Sequence, residues 1–132
     1  LDLCCGYGPA GVYAARSADC DVWLTDDDRR ATACAERSLV ASGAPGEVVT
    51  ADCVAGRVAD LQFDRVLCNP PTHAGAGVLD DLLGGAADVL ASDGVFRAVH
   101  HRALDLSEHL RAFEDGRTVR TGAEHVVIEA TP

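Results

Sequence analysis

A chain of 132 residues, 48% hydrophobic and only 5% aromatic, fits one domain over residues 1–132 with a core of Val, Leu and Ala. Its 21 Asp and Glu against 11 Arg, with no Lys and no Met, leave a net charge of -10. No apolar run of about 18 residues and no signal-peptide pattern is present, so neither a membrane span nor export is expected and the cytoplasm is the expected location.

Taken in chain order, apolar runs that suit strands lie at 1–4, 21–24, 47–50, 65–68, 94–99, 117–121 and 126–130. Helical patterns fall between them at 10–17, 29–42, 78–91 and 106–114. Pro9 suits a first helical turn, Gly43 and Pro45 close the second helix, and Asp93-Gly94 closes the third. The alternation predicts an α/β fold with a mostly parallel, twisted sheet of about seven strands and helices on both faces. Only residues 122–124 separate the last two strands, so they form a hairpin that brings in an antiparallel strand. The first residue already lies inside a motif, so a chain trimmed at its front is expected. Six Cys without metal spacing are expected to be reduced, mostly buried thiols, with no metal bound.

In sheets of this kind ligands bind beyond the carboxyl ends of the strands, which directs attention to the residues just after each strand. Gly6-Tyr7-Gly8-Pro9-Ala10-Gly11 follows the first and is a literal G-x-G-x-x-G, a tight turn meeting a ligand at a helix N-terminus. A dinucleotide is one candidate ligand, with Asp26 near the place of a ribose-binding acid. Charge argues for another. Asp2, Asp26 and Asp52 converge on one sheet edge and repel a pyrophosphate. They suit a ribose, an ammonium and a sulfonium, the groups of S-adenosylmethionine (SAM). In that reading Asp26 accepts from both ribose hydroxyls, Asp52 accepts from the adenine amine, and Asp2 helps to hold the methionine ammonium. Asp27 and Cys53 complete the candidate cofactor set.

Asn69-Pro70-Pro71-Thr72 follows the fourth strand. An amine conjugated to a ring is a poor nucleophile because its lone pair is delocalised. The Asn69 side-chain oxygen and the Pro70 carbonyl can each accept one N–H and turn that lone pair toward a methyl group. The prolines fix the backbone, so both acceptors are preorganised. Beyond the fifth strand, His100-His101-Arg102 can face a substrate cleft, with Arg102 meeting a phosphate; the alternative is a solvated loop.

Leu1-Asp2-Leu3-Cys4-Cys5-Gly6-Tyr7-Gly8 resembles motif I of class I SAM-dependent methyltransferases. Cys4 stands where that motif has its first glycine, so the turn is expected to avoid a positive φ there. Asn69-Pro70-Pro71-Thr72 resembles the loop of methyltransferases that act on planar amines, with Thr72 in place of an aromatic residue. The stretch from Asn69 to Gly75 is similar to the "small domain" methyltransferases, which include 16S ribosomal RNA guanine-N2 enzymes and archaeal relatives. The resemblance implies a Rossmann-like methyltransferase fold, SAM bound through Asp2, Cys4, Gly6, Gly8, Asp26, Asp27, Asp52, Cys53 and Asn69, and transfer at Asn69, Pro70, Pro71 and Thr72. It also implies an RNA partner. The acidic surface argues against nucleic acid at ordinary ionic strength. However, Arg-only basicity resembles that of extreme halophiles, and in molar salt the Debye length falls to about 3 Å. Alternatives are a protein glutamine or small-molecule acceptor, an NAD-dependent oxidoreductase, and a non-catalytic subunit of the same fold.

Overall fold

The computed structural model describes residues 1–132 and contains one seven-stranded sheet. In chain order the elements are β1 (Asp2–Leu3), α1 (Pro9–Ser17), β2 (Trp23–Asp26), α2 (Arg29–Ser42), β3 (Glu47–Thr50), β4 (Phe63–Cys68), α3 (Ala76–Asp88), β5 (Leu90–His101), β6 (Asp115–Thr121) and β7 (His125–Thr131). Short 3-10 helices occupy Gly56–Val58 and Ser107–Ala112. The spatial order is β3-β2-β1-β4-β5-β7-β6. The first five are parallel, and β7 pairs antiparallel with both β5 and β6. The expected hairpin is therefore present at the C-terminus. The chain runs outward from β1 to β3, then returns to β4 on the other side, which makes the gap between β1 and β4 the switch point.

Two apolar clusters cover opposite faces. On one, Leu24 of β2 packs with Ala35 and Leu39 of α2. On the other, Leu3, Val66 and Phe96 pack with Leu79, Leu82, Leu83 and Ala86 of α3. Strand side chains alternate between faces, and the β1–β2 register sets Leu3 beside Thr25 and Asp2 beside Leu24. Asp2 therefore points toward α1, while Thr25 points toward the α3 side. The local signals that position α2 are both present. The Asp28 side chain accepts from the Arg30 N–H at 2.8 Å, and Gly43 caps the C-terminus at φ 64°.

Several expectations need correction. The helix expected to reach residue 91 ends at Asp88, because Val89 and Leu90 are buried and Leu90 pairs with Phe63. Asp93-Gly94 then lies inside β5, where the pairing jumps from Phe63–Leu90 to Arg65–Val95. Gly94 is needed in this bulge, since a Cβ there would sit 2.8 Å from the Ala91 carbonyl oxygen. The helix expected at 106–114 is the shorter 3-10 helix. Its i→i+3 bonds from His109 N–H to Leu106 and from Phe113 N–H to Leu110 wind it more tightly, between the buried anchors Leu106 and Phe113. Of the six free thiols only Cys5 and Cys68 are buried; Cys20, in the loop between α1 and β2, and Cys34, on the outer side of α2, are exposed.

Candidate cofactor and acceptor site

The loop after β1 winds through three left-handed residues at alternate positions, Cys4 at φ 57°, Gly6 at φ 57° and Gly8 at φ 85°. Cys4 thus does adopt a positive φ, against expectation. The loop's other bonds hold it there: Cys5 N–H donates to the Thr25 carbonyl at 2.9 Å, and Gly8 N–H to the Cys5 carbonyl at 2.8 Å. Gly8 is also required for space, because a Cβ would come within 2.7 Å of the Leu24 side chain.

Two carboxylates brace the loop from opposite sides. Asp26 accepts from Gly6 N–H at 2.8 Å and, through its other oxygen, from Asp28 N–H at 3.0 Å. Asp2, only 5% exposed, accepts from Gly11 N–H at 2.7 Å. Burial pushes the Asp2 carboxyl up to about 6, against the opposing pull of that Gly11 bond.

A cleft opens beyond the carboxyl ends of β1, β2 and β3. Its wall includes Cys4, Thr25, Asp26, Asp27, Asp52 and Cys53, with Pro71 on the acceptor side. Val78 and Leu82 of α3 close it, two residues that sequence reasoning did not single out. No basic side chain lines it. Asp26 and Asp52 are brought together here as expected, but Asp2 is not. It lies behind the loop, facing α1, and acts on the cleft only through the backbone it holds. Gly6 and Gly8 likewise shape the loop from outside the cleft wall.

Thr25 was also missed. Its hydroxyl is fully buried and has no hydrogen-bond partner. The one available signal was its place immediately before Asp26 at the end of β2. Cys53 has φ 48°, so both cysteines of the cleft stand in left-handed backbone, a conformation that costs a non-glycine residue of order 1–3 kcal/mol and clusters at ligand sites.

The acceptor loop sits next to the cleft because β1 pairs with β4. Leu3 is in register with Cys68, so Cys4 and Asn69 leave the sheet side by side. Asn69 is exposed, Pro70 is buried, and Thr72 and His73 are exposed. On the other side, Cys68 is in register with Ala98, the last pair of that ladder, and β5 runs on from there to His101. His100 and His101 belong to β5 and do not form a solvated loop; His100 is only 6% exposed.

Sheet order, the braced glycine turn and the Asn-Pro-Pro loop at the switch point together define a Rossmann-like methyltransferase. The family model described as "Methyltransferase small domain" matches residues 1–129, and the chain belongs to that family. Ribosomal RNA large subunit methyltransferase G of Shewanella putrefaciens is 30% identical over 98% of this chain and 37% of its own length. The chain thus spans little more than a third of the curated relatives that it matches. Among solved structures, a 16S rRNA N2 methyltransferase (RsmC) of T. thermophilus, in complex with AdoMet and guanosine, superposes with a TM-score of 0.89 at 27% identity. That match covers 98% of this chain and 36% of the other. TrmN from Thermus thermophilus gives a TM-score of 0.80 at 25% identity over 99% of this chain and 43% of the other.

Proposed function

We propose that this chain is the core of a SAM-dependent N-methyltransferase that modifies a guanine amine in ribosomal RNA. The observation that carries the proposal is a cleft whose only charged lining residues are acids, Asp26, Asp27 and Asp52, with Pro71 of the Asn69-Pro70-Pro71 loop in its wall. A ligand with phosphates would be repelled there, whereas ribose hydroxyls, an amine and a sulfonium all find acceptors. The unpartnered Thr25 hydroxyl at this wall also fits a polar ligand. Family membership and the likeness to an enzyme bound to AdoMet and guanosine support the same reading.

When bound, SAM supplies a methyl group activated by its sulfonium. Asp26, held by the N–H groups of Gly6 and Asp28, keeps lone pairs free for the ribose hydroxyls. Asp52 accepts from the adenine amine, with Asp27 and Cys53 beside it. Cys4, Gly6 and Gly8 shape the turn that meets the methionine part, and Asp2 stiffens that turn from behind. The Asn69 side-chain oxygen and the Pro70 carbonyl accept the two N–H bonds of the acceptor amine. Pro71 fixes the loop, and Thr72 stands beside the acceptor ring. Rate is gained by orientation and by acceptors already in place, without a strong base, because the amine becomes acidic as it acquires positive charge and releases its proton to water.

Asp26→Ala should weaken SAM binding at least tenfold by calorimetry. Asn69→Ala should lower kcat at least 100-fold, the scale seen when one preorganised polar group is lost, while SAM still binds. Unchanged turnover in Asn69→Ala would sink the amine clamp. The exposed Thr72 favours one second reading, a protein amide or small-molecule acceptor that needs no stacked aromatic. Labelled SAM offered to ribosomal RNA from a deletion strain and from the wild type separates the two, since only an RNA enzyme labels the first and not the second. An RNA substrate and an acidic, lysine-free composition support a cytoplasmic enzyme of a halophilic host.

A further inference from the structure

The negative charge of the chain is not evenly spread. From Arg97 to His125 five arginines stand against five acids, and four of the five histidines lie there too. The remaining six arginines face sixteen acids, so the whole net charge of -10 sits outside this stretch. The cofactor side of the sheet is strongly acidic, whereas the β5–β7 side, where Asp93 and Glu129 bring the acids to seven against five arginines, is nearly balanced and rich in donors.

Register places part of that side against the acceptor loop. β4 and β5 stay in register as far as Cys68 and Ala98, so the end of β5 at His101 and the turn at Arg102 lie at the same sheet edge that the Asn69–Thr72 loop leaves, on the flank away from the cofactor cleft. His101 is opposite His125 of β7, and their rings meet edge to face at 5.6 Å. The Ala103 N–H donates to His101 Nδ1 at 3.1 Å, which puts the ring proton on Nε2 and leaves that N–H free to donate. The turn is closed by Leu104 N–H to the His101 carbonyl at 2.9 Å and by Arg102 N–H to the Glu124 carbonyl at 2.8 Å. The Arg102 guanidinium spends one N–H on the Ala123 carbonyl at 3.2 Å and forms no ion pair. Arg97 and Arg117 of the same sheet half differ, as both are spent on Glu129. His101 and Arg102 are therefore held by backbone bonds, His125 packs edge-on against His101, and none of the three pairs with a carboxylate.

We infer that the corner formed by His101, Arg102 and His125 holds a backbone phosphate of the nucleic acid that carries the target base. A phosphate has acceptors on several sides, as a single ribose or base edge does not, and an arginine fork pre-set by a backbone carbonyl suits it. The cleft itself, lined by carboxylates, cannot take that role. The inference rests on the RNA reading above, but it assigns the strand's path, which leaves the active centre over β5 and β7 and not over β2 and β3.

The test is binding of a fluorescent, guanine-containing single-stranded oligoribonucleotide to the full chain, by anisotropy over a series of KCl concentrations. Arg102→Glu should weaken binding about tenfold or more at low salt and lower the slope of log K against log salt by about one. His125→Ala should weaken it less, in the same direction. Arg37→Glu, the same charge change on the exposed side of α2, should leave the slope unaltered. SAM affinity in all three should match the wild type, which reports that the fold is intact. Equal effects of Arg102→Glu and Arg37→Glu, or no RNA binding by the wild type, would overturn the inference. Methyl transfer is measured separately. A wild type that binds RNA through Arg102 but labels none of it defeats the substrate reading and leaves the phosphate corner standing.

Discussion

Asp2 and Cys4 have local settings that ordinary residue preferences do not describe. The unfolded Asp2 carboxyl titrates near 3.8 and the folded one near 6, so the native state holds that proton more tightly than the unfolded chain. Stability from this group is thus greatest in acid, falls as pH rises from about 4 to 6, and stays lower above. At 1.36 kcal/mol per pKa unit the loss is roughly 2–3 kcal/mol. Urea unfolding of wild type and Asp2→Asn over pH 4 to 7 should show the wild type losing ground to the variant by about that amount. A constant gap would mean that Asp2 titrates as a surface acid. Cys4 presents the reverse case, a side chain where the backbone favours none. Cys4→Gly should leave stability within about 1 kcal/mol, since relief of the left-handed strain offsets the added chain entropy. Cys4→Val should cost about 2 kcal/mol, because a β-branched residue at φ 57° is a strong outlier. The motif told the sequence reader that a glycine belongs at this position. It could not tell that the turn keeps its positive φ when a cysteine takes the place, because the bonds from Cys5 to Thr25 and from Gly6 to Asp26 decide that across the sheet.

At the scale of elements, α1 is seated by an absence of side chain. A Cβ on Gly11 would lie 2.7 Å from Leu24 Cγ and 3.1 Å from the Asp2 carboxylate, and Leu24 is fully buried. Gly11→Ala should therefore cost about 1–3 kcal/mol by overpacking. Leu24→Val in the same chain should recover part of that loss, a coupling that a urea double-mutant cycle measures directly. If the two changes add without coupling, close packing of α1 on β2 is not what Gly11 provides. Elements with local punctuation were legible in sequence. α2 carries its own cap in Asp28 and its own stop in Gly43, and its limits were read at the observed residues. Elements decided by partners were not. Asp93-Gly94 has the composition of a helix stop, yet β4 captures Leu90 and turns the pair into a bulge within β5. The same holds in the site. Asp26 and Asp52 could be placed because one ends β2 and the other lies two residues after β3. Asp2 could not, because strand alternation turns it toward α1 and Gly11 claims its oxygen. Val78 and Leu82 lie in a helix and carry no reactive group, so only the tertiary position of α3 brings them to the cleft.

For the whole molecule the balance to decide is between self-repulsion and ion pairing, because salt acts on both. Three arginine–carboxylate pairs and one His109–Asp80 contact are present, all reaching the surface, where such pairs contribute little. Only the Arg97–Glu129–Arg117 group is a network, and it holds β5, β7 and β6 together at the less acidic end of the sheet. Screening these pairs removes little. The opposing term is larger: fourteen acids against six arginines crowd residues 1–89, with Asp26, Asp27, Asp28 and Asp52 around a single edge. Unfolding lets those charges separate, so the folded state is the one that repulsion penalises. Raising KCl from about 0.05 M to 1 M shortens the Debye length from over 10 Å to about 3 Å and should lift Tm by several degrees. The gain should be largest for the β1–β3 side, visible as slower amide exchange in β2 and β3 than in β6. A Tm that falls with salt would mean that the ion pairs outweigh the repulsion. That result would also remove the support that the composition lends to a halophilic host.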